Sequence, residues 1–404
     1  MLFDSILRFA VVSDTHYGAT SADVRSRFKT AMSAIYNYCG TQKHNTLDAL
    51  YVVGDFTNTG TREQMEDFKQ DCDALLKPET KLVVTLANHE LHYNKGEEIA
   101  LQDFREVFQM PTDRHEVING FHFISVSTTK EERGAWHDAF PQAKQDYLSA
   151  ELQKARQDTG NLPIFVFQHP GIKGTLGTNF GGGEFHRILT NYPQVIDFSG
   201  HSHAPTNSPS ELTQRHFTAI STGSLLDIVT HCFAWDSYLQ PVKEDIGYEY
   251  AHMLVVEVNQ KGDVLIKRLD AVAGEFFEND SLITDCWDTT RYTYTSQRAV
   301  HAKRPYFTPD SLLSAKKQEN GLLLTFPRGL CEGERVKEYR VRLLDSAGVV
   351  LAQKTVPSDF PAVHQAPIVE IPMDYKDAGT VQIQVFAVGF WDNLSDPITC
   401  SLSI

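Results

Sequence analysis

The feature that most constrains this chain is a series of short apolar runs, each ending at a residue able to bind a metal ion. The residues that follow these runs are, in chain order, Asp14-Thr15-His16, Asp55, Asn88-His89-Glu90, His169 and His201-Ser202-His203. Short runs rich in β-branched residues are typical of buried strands in a sheet that helices cover. Ligands in such folds lie just past the carboxyl ends of the strands. The pattern therefore predicts both a sheet and a site at its edge.

The first two thirds of the chain alternates such runs with segments of helical spacing. Helices are predicted over residues 22–39, 62–76 and 142–156, and further strands over 115–118, 121–127, 217–220, 252–258 and 263–269. The Asn119-Gly120 pair predicts a hairpin turn between two of these strands. This alternation, with strands enough for two sheets, predicts a four-layer α/β/β/α sandwich over residues 1–272.

The last quarter of the chain predicts a second domain, an all-β sandwich over residues 305–404. Short strands are predicted over residues 321–326, 336–344, 349–355, 368–371 and 381–388. Strands at this spacing are typical of a β-sandwich of about 100 residues. The last strand, followed by Asp392-Asn393-Leu394-Ser395, resembles the closing hairpin of fibronectin type III domains. Residues 273–304, polar and rich in aromatic side chains, are predicted to be a linker that packs against the protein.

Charge limits the partners of the protein. The chain has 37 basic and 52 acidic residues, a net charge of −15. This charge repels nucleic-acid polymers and anionic membranes, so a nuclease that tracks a polymer is disfavoured. A small phosphorylated substrate remains compatible, because the charge of a bound metal dominates at short range.

The sequence also bears on location. No apolar run approaches the roughly 20 residues that span a bilayer, and the N-terminus lacks the layout of a signal peptide. The six cysteines are scattered, which favours buried thiols in a reducing compartment, with Cys331 and Cys400 as the one pair to examine for a disulfide. A cytoplasmic protein is predicted, and export stays open if a leader precedes this numbering.

The spacing of the ligand residues favours a metal centre. Asp14 and His16 lie two residues apart at a strand end, so both side chains can point to one side, and His201 and His203 share this spacing. Asp55 follows Gly54, which allows a tight turn, and its carboxylate can bridge two cations. Asn88 offers an amide oxygen and His169 an imidazole, which completes the set.

Mixed nitrogen and oxygen ligands suit Mn, Fe or Zn. The absence of thiolate argues against a structural zinc site. A single Asp-x-His or His-x-His is more often structural, but seven candidate ligand residues in order, behind five predicted strands, indicate metal binding.

The order Asp-x-His, Gly-Asp-x-x-Asn, Asn-His-Glu, His and Gly-His-x-His resembles the calcineurin-like metallophosphoesterases, over residues 6–270. The resemblance implies two divalent or mixed-valence metal ions and a small phosphorylated substrate. One metal would be held by Asp14, His16, Asp55 and His203, and the other by Asp55, Asn88, His169 and His201. Catalytic roles would fall to Asp55, which bridges the ions, and to His89, which assists leaving-group protonation beside Glu90.

The implied reaction is an in-line attack on phosphorus by a hydroxide that bridges the metals. Two divalent ions carry +4, the carboxylates of Asp14 and Asp55 return −2 and the hydroxide −1, so about +1 remains for the phosphate. No protein nucleophile is needed.

Two departures from the family pattern stand out. Ala87 occupies the position where the family usually has Gly, so the backbone there has less freedom. Phe56-Thr57-Asn58 follows Asp55 without the Tyr that purple acid phosphatases place there, so a charge-transfer ferric site is not expected. The run from Gly54 to Gly60 resembles the branch that contains cyclic-nucleotide phosphodiesterases and acid-sphingomyelinase-like enzymes.

Hydrolysis of a small-molecule phosphodiester is therefore predicted. The alternatives are a phosphomonoesterase acting on a small metabolite and a catalytically silent scaffold with the same fold. The β-sandwich is interpreted as a spacer or dimerisation surface, which leaves a homodimer open.

Several residues stay ambiguous between substrate contact and ordinary packing. They are Arg133, Trp136, His137 and Asp138, the glycine-rich stretch 171–183, and His92 with Tyr93. His92 and Tyr93 are favoured for the edge of the pocket, whereas surface packing is favoured for the group around Trp136. Asn58 is expected to order its loop, and ordinary roles are expected for Asp197 and His186.

Overall fold

The computed structural model describes residues 3–93, 96–130, 138–176, 183–230, 246–319, 321–375 and 379–403. The chain divides into two compact units, Met1–Ser296 and Gln297–Ile404. We retain residues 1–272 and 305–404 as proposed domain bounds. Two short strands of the range predicted as a linker pair with the last long strand before residue 272, so the sheet of the first unit continues into that range.

The helices and strands of the first unit follow the predicted alternation. The strands are Ser5–Val12 (β1), Ala49–Val53 (β2), Lys81–Thr85 (β3), Arg114–Ile118 (β4), Phe121–Ser125 (β5), Thr129–Lys130 (β6), Asp138–Ala139 (β7), Ile164–Phe167 (β8), Val195–Ser199 (β9), Leu212–Gln214 (β10), Thr218–Ser221 (β11), Ile228–Val229 (β12), Ile246–Gly247 (β13), His252–Asn259 (β14), Val264–Asp270 (β15), Glu275–Phe276 (β16) and Ser281–Ile283 (β17). The helices are Val24–Gly40 (α1), Arg62–Leu75 (α2), Asn88–His92 (α3), Glu97–Phe108 (α4), Gln142–Thr159 (α5) and Glu184–Leu189 (α6).

The long strands form two sheets. In the first sheet the order is β16-β15-β14-β1-β2-β3, with β17 also on β15, and β1, β2 and β3 run parallel. In the second sheet the order is β10-β11-β9-β8-β5-β4, and its four central strands run parallel. Parallel strands bring their carboxyl ends to one edge of a sheet. The runs that end in candidate ligands therefore end together.

Aromatic side chains pack between the two sheets. The ring of Phe9 on β1 lies at the centre, with centroids 5.0–6.1 Å from five other rings. These rings belong to Tyr51, Phe123, Phe165, Phe167 and Phe198, all buried. Burying one such side chain stabilises the fold by about 1.5–3 kcal/mol, so this layer holds the sheets face to face.

Helices cover the outer face of each sheet. Apolar residues of α1, α2 and α4 pack on the first sheet, and those of α5 and α6 on the second. Helix α1 begins where Asp23 accepts a hydrogen bond from the Ser26 amide, and it buries Val24, Phe28 and Ile35 on one face. The predicted α/β/β/α sandwich is confirmed.

The second unit is an all-β sandwich, as predicted. A short helix, Arg298–His301 (α7), precedes its strands, which are Ser314–Gln318 (β18), Gly321–Pro327 (β19), Glu338–Leu344 (β20), Val350–Pro357 (β21), Ile368–Met373 (β22), Thr380–Val388 (β23) and Ile398–Ser403 (β24). They form the sheets β18-β19-β22 and β21-β20-β23-β24. Their inner faces meet in a core that includes Phe326, Tyr339 and Val341. The alternation of buried and exposed residues in the sequence accounts for these strands.

The cysteines of the described residues are all free, including Cys331 and Cys400. These two are only partly buried, unlike Cys39, Cys72 and Cys286. Among the helices that the structure describes, none combines the length and the apolar character needed to cross a bilayer.

One buried carboxyl group in the second sheet makes stability depend on pH. Asp197 on β9 is fully buried, and its side chain accepts a hydrogen bond from Gln168 Nε2 at 3.2 Å. Burial raises the pKa of Asp197 from 3.8 to about 8. The folded protein therefore binds a proton that the unfolded chain releases between these values, and stability is lost as the pH rises through this window.

We expect Asp197→Asn to remove this loss, because the amide is neutral and still accepts from Gln168. The free energy of unfolding of the variant relative to the wild type should rise from pH 5 to pH 8, by at most about 1.4 kcal/mol per pH unit. Urea denaturation at four pH values measures this, with the surface substitution Asp67→Asn as control. A difference between variant and wild type that stays constant across the window would contradict it.

Candidate metal centre

The structure gathers the predicted ligands from both sheets into one place. Asp14, His16, Asp55 and Asn88 follow strands of the first sheet, and His169, His201 and His203 follow strands of the second. Among the described residues, three groups have ligand atoms within 4.8 Å of one another. They are Asp14 with His16 and His203, His16 with Asp55 and His89, and Asp55 with His169 and His201.

The first group surrounds Asp14. Its Oδ1 atom lies 3.1 Å from His203 Nε2 and 3.8 Å from His16 Nε2, and the two imidazole nitrogens are 3.3 Å apart. The Oδ2 atom of Asp14 accepts hydrogen bonds from the His201 amide at 3.0 Å and from Ser13 Oγ at 2.5 Å. One carboxylate oxygen is thus fixed to the protein, and the other faces the histidines.

The second group surrounds Asp55. Its Oδ2 atom lies 3.0 Å from His169 Nε2, and its Oδ1 atom accepts a hydrogen bond from the His89 amide at 2.9 Å. His169 Nδ1 contacts the carbonyl oxygen of Val53 at 2.6 Å, which directs Nε2 towards Asp55. His169 Nε2 is also 3.7 Å from Asp14 Oδ1, so the two groups adjoin.

Two buried oxygen atoms support a metal at this position. No donor among the described residues forms a hydrogen bond with Asp14 Oδ1 or with Asn88 Oδ1, although both atoms are buried. A buried acceptor without a partner costs about 1–3 kcal/mol, and a cation would remove that cost. The donor set, two carboxylates, an amide oxygen and imidazoles, also suits Mn, Fe or Zn.

The backbone is strained at five of the seven candidate ligands. Positive φ angles occur at Asp14 (51°), His16 (45°), Asp55 (49°), His201 (67°) and His203 (49°). Residues other than glycine rarely adopt this conformation, which costs of order 1–3 kcal/mol where the residue is not suited to it. Strain of this kind concentrates at functional sites, where the surrounding structure enforces it.

Glu90 enforces part of this backbone. Its buried carboxylate accepts hydrogen bonds from the amides of Asp55, Thr57 and Ala87 and from the Thr57 hydroxyl, at 2.7–3.1 Å. Burial and the neighbouring Asp55 raise the pKa of Glu90 to about 8. Glu90 thus ties the segment after β2 to the start of α3.

The ionisable groups of the site shift one another's pKa values. Burial would raise the pKa of Asp14, but His203 and His169 outweigh it and lower the pKa to about 2. Burial would likewise raise the pKa of Asp55, yet His169 and His89 lower it well below its usual range. Burial, with neighbouring histidines, lowers the pKa of His16 and of His201 to about 3. The carboxylates are therefore ionised and these two imidazoles neutral, the forms that bind metal.

His89 occupies the partly open side of the site. Its Nδ1 atom lies 2.7 Å from the carbonyl oxygen of Asn58, so Nδ1 carries the proton and donates it there. Its Nε2 atom lies 4.0 Å from Asp55 Oδ2, and the side chain is 19% exposed. The carbonyl group of Asn58 thus orients the ring of His89.

Tyr93 lies at the edge of the site, as the sequence suggested. Its ring packs 4.9 Å from that of His89 and is 44% exposed. Three other sequence-based suggestions, Arg133, Trp136 and His137, lie outside the described residues, as does part of the glycine-rich stretch 171–183.

Asp227 is a residue near the site that the sequence reasoning missed. Its Oδ1 atom lies 3.0 Å from His203 Nδ1, on the side of the ring opposite Asp14. Burial alone would lower the pKa of His203, but Asp227 and Asp14 raise it well above its usual value. The only sequence signal was an acidic residue six positions after β11, which does not distinguish it from a loop carboxylate.

Comparison with known proteins identifies a family for part of the chain. Residues 7–205 match the family of calcineurin-like phosphoesterases, and this part of the chain belongs to that family. The prediction of a metal-dependent phosphoric ester hydrolase is confirmed at this level. No significant match to a curated protein sequence was found.

Two solved structures are similar to parts of this chain. A purple acid phosphatase from yellow lupin (Lupinus luteus) seeds has a TM-score of 0.50 at 11% identity, over 71% of this chain and 56% of that one. A 5'-nucleotidase precursor from Thermus thermophilus has a TM-score of 0.37 at 13% identity, over 69% and 54%. The chain thus spans little more than half the length of either protein, and the likeness to the lupin structure concerns the fold alone.

The turn before Asp55 leaves no room for a side chain. Gly54 has φ +76°, and an added Cβ would lie 2.6 Å from Ala87 Cβ and 2.7 Å from His169 Nδ1. The Cβ of Ala87 and the ring of His169 therefore exclude any side chain at position 54.

We expect Gly54→Ala to destabilise the protein by about 1–3 kcal/mol, through the positive φ and the displacement of His169. Thermal denaturation measures the loss. Gly40→Ala is the matched control, since a Cβ there meets nothing within 4 Å. Equal melting temperatures for the two variants would contradict the packing described here.

Proposed function

We propose that the protein hydrolyses a small-molecule phosphodiester at a centre of two metal ions. The observation that carries this proposal is the placement of Asp55 between two groups of ligand atoms, one with His16 and one with His169 and His201. A carboxylate in that position suits a bridge between two cations.

The residues fit such a pair of ions. Asp14, His16, Asp55 and His203 would hold one, and Asp55, Asn88, His169 and His201 the other. The buried oxygens of Asp14 and Asn88 that accept no hydrogen bond from the described residues support this division. When bound, the metal ions would polarise the phosphate ester and lower the pKa of a water molecule.

His89 is suited to handle the proton of the leaving group. The Asn58 carbonyl holds its Nδ1 atom, so the Nε2 atom remains to take up a proton and donate it to the departing oxygen. The hydrogen bond from its backbone amide to Asp55 holds the backbone of His89 beside the candidate metal ligands. No side-chain nucleophile takes part in this proposal.

Charge favours a diester over a monoester. Two divalent ions, the carboxylates of Asp14 and Asp55 and a bridging hydroxide would leave a net charge of about +1, which balances the single negative charge of a diester. Asp227 behind His203 lowers the local charge further.

A phosphomonoester is the alternative substrate, and the lupin and Thermus structures carry the names of a phosphatase and a nucleotidase. A silent scaffold remains the third reading. Its mark would be a missing ligand, and all seven are present in the sequence.

Asp55→Asn and His89→Ala should separate metal binding from turnover. Asp55→Asn should lower the metal content below two ions per chain and abolish hydrolysis, because it weakens metal binding by both groups of ligands. His89→Ala should keep the metal content of the wild type and slow turnover by about 10²–10⁴-fold. Elemental analysis of dialysed protein, with initial rates, measures both. Full metal content and activity in Asp55→Asn would disprove the bridging role, and loss of metal in His89→Ala would make His89 a ligand.

The substrate class can be tested with the metal-free protein reconstituted with Mn²⁺. We expect bis-p-nitrophenyl phosphate to be cleaved with a higher kcat/KM than p-nitrophenyl phosphate, because the diester carries one negative charge less. The Asp55→Asn protein, treated identically, controls for contaminating phosphatases. Faster monoester cleavage would establish the alternative, and the absence of both activities would favour the scaffold or a narrower substrate.

A further inference from the structure

The proposed ligands differ in what holds the far side of each imidazole ring. The Nδ1 atom of His169 contacts a backbone carbonyl, that of Val53, at 2.6 Å. The Nδ1 atom of His203 instead lies 3.0 Å from the carboxylate of Asp227. A carboxylate behind a metal-binding histidine fixes the tautomer and orientation of the ring and raises its basicity, more strongly than a neutral carbonyl group does.

Asp227 is itself held firmly. Its amide and that of Leu226 donate to Ser224 Oγ, at 3.3 and 3.0 Å, and the Ser224 hydroxyl donates to the carbonyl oxygen of Asp14 at 3.1 Å. The amides of Leu225 and Leu226 also donate to that carbonyl. The same short segment therefore binds Asp14 through its backbone and His203 through Asp227.

A cation from helix α1 fixes this segment from outside. Arg27 Nη1 donates to the carbonyl oxygens of Leu225 and Leu226, at 2.9 and 2.6 Å. At the other end, the Val229 amide donates to the carbonyl oxygen of His203 at 2.9 Å. Asp227 is only 5% exposed, so the ion pair with His203 is largely shielded from solvent.

We propose that Asp227 is a positioning residue that holds the His203 ring with Nε2 towards Asp14, and thereby sets the metal affinity of the group Asp14, His16 and His203. The inference rests on the proposed two-metal centre. It adds an asymmetry between the two positions: one has a histidine backed by a carboxylate, and in the other His169 is backed by a carbonyl group. Loss of the Asp227 charge should weaken the binding of one metal ion and leave the binding of the other unchanged.

The test is a Mn²⁺ titration of the metal-free protein against a competing chelator, with electron paramagnetic resonance to distinguish a coupled pair of ions from a single ion. Asp227→Asn keeps an acceptor for His203 Nδ1 and removes the charge. We expect one of the two Mn²⁺ affinities to fall by about 10–100-fold and the other to change less than about threefold. At intermediate Mn²⁺ the variant should show the spectrum of a single ion where the wild type shows a coupled pair.

Two further variants separate positioning from folding. Arg27→Gln loosens the same segment without touching His203, so it should lower the melting temperature and leave both Mn²⁺ affinities near those of the wild type. Asp48→Asn is a matched control, because the carboxylate of Asp48 lies 2.7 Å from another histidine, His44. This pair lies before β2, at the end opposite Asp55, so the substitution should likewise leave metal binding unchanged. Asp227→Ala, which also releases the ring, should lose at least as much affinity as Asp227→Asn.

Wild-type affinities for both ions in Asp227→Asn and Asp227→Ala would overturn the inference. An equal loss in Arg27→Gln would also overturn it, by assigning the effect to the segment as a whole. Failure of the proposed function is distinguishable, because the wild-type protein would then bind fewer than two Mn²⁺ ions.

Discussion

The packing of the two sheets through the aromatic layer around Phe9 is the interaction on which the rest of the structure depends. The candidate ligands come from both sheets, so their separation is set by how closely the sheets approach. A layer of interlocking aromatic rings permits little sliding, because protein interiors are packed as densely as organic crystals. The 3.1 Å contact between Asp14 and His203 therefore reflects a core packed on the far side of the strands.

The backbone of the candidate site is strained, and hydrogen bonds from neighbouring residues maintain this conformation. Five ligands adopt positive φ, and three of them belong to segments held by buried hydrogen bonds: Asp55 by Glu90, Asp14 by Ser13 and Ser224, and His203 by Asp227 and Val229. These bonds direct the side chains inward at the strand ends. They also explain why so many buried polar residues lie next to the ligands in a region that could otherwise have been apolar core.

The arrangement has a consequence for chemistry. Buried carboxylates beside the neutral imidazoles of His16 and His201 form a site with an unfavourable excess of acceptor atoms, which a cation relieves. The side chains of His89 and His203 are partly exposed and form the edge at which the candidate centre meets solvent. Tyr93, which packs against His89, extends this edge with an aromatic surface.

The sequence by itself determined the sandwich, the second β-domain and the identity of the candidate ligands. Each ligand lies directly behind an apolar run, and both strand periodicity and motif spacing are local properties of the chain. Helix and strand ends differed from the prediction by a few residues, as for β5, which ends at Ser125 and not at residue 127. The predicted linker contributed β16 and β17, because the edge of β15 offered unpaired backbone groups that only the folded sheet creates.

Only the tertiary structure decided which groups stand behind the ligands. Asp227 and His203 lie 24 positions apart in the chain, and Glu90 reaches back over more than 30 residues to the amides of Asp55 and Thr57. Such pairings leave no periodic trace, since a carboxylate in a loop looks the same in sequence whether it is solvated or buried against a histidine. They depend on distances that exist only once the two sheets have packed.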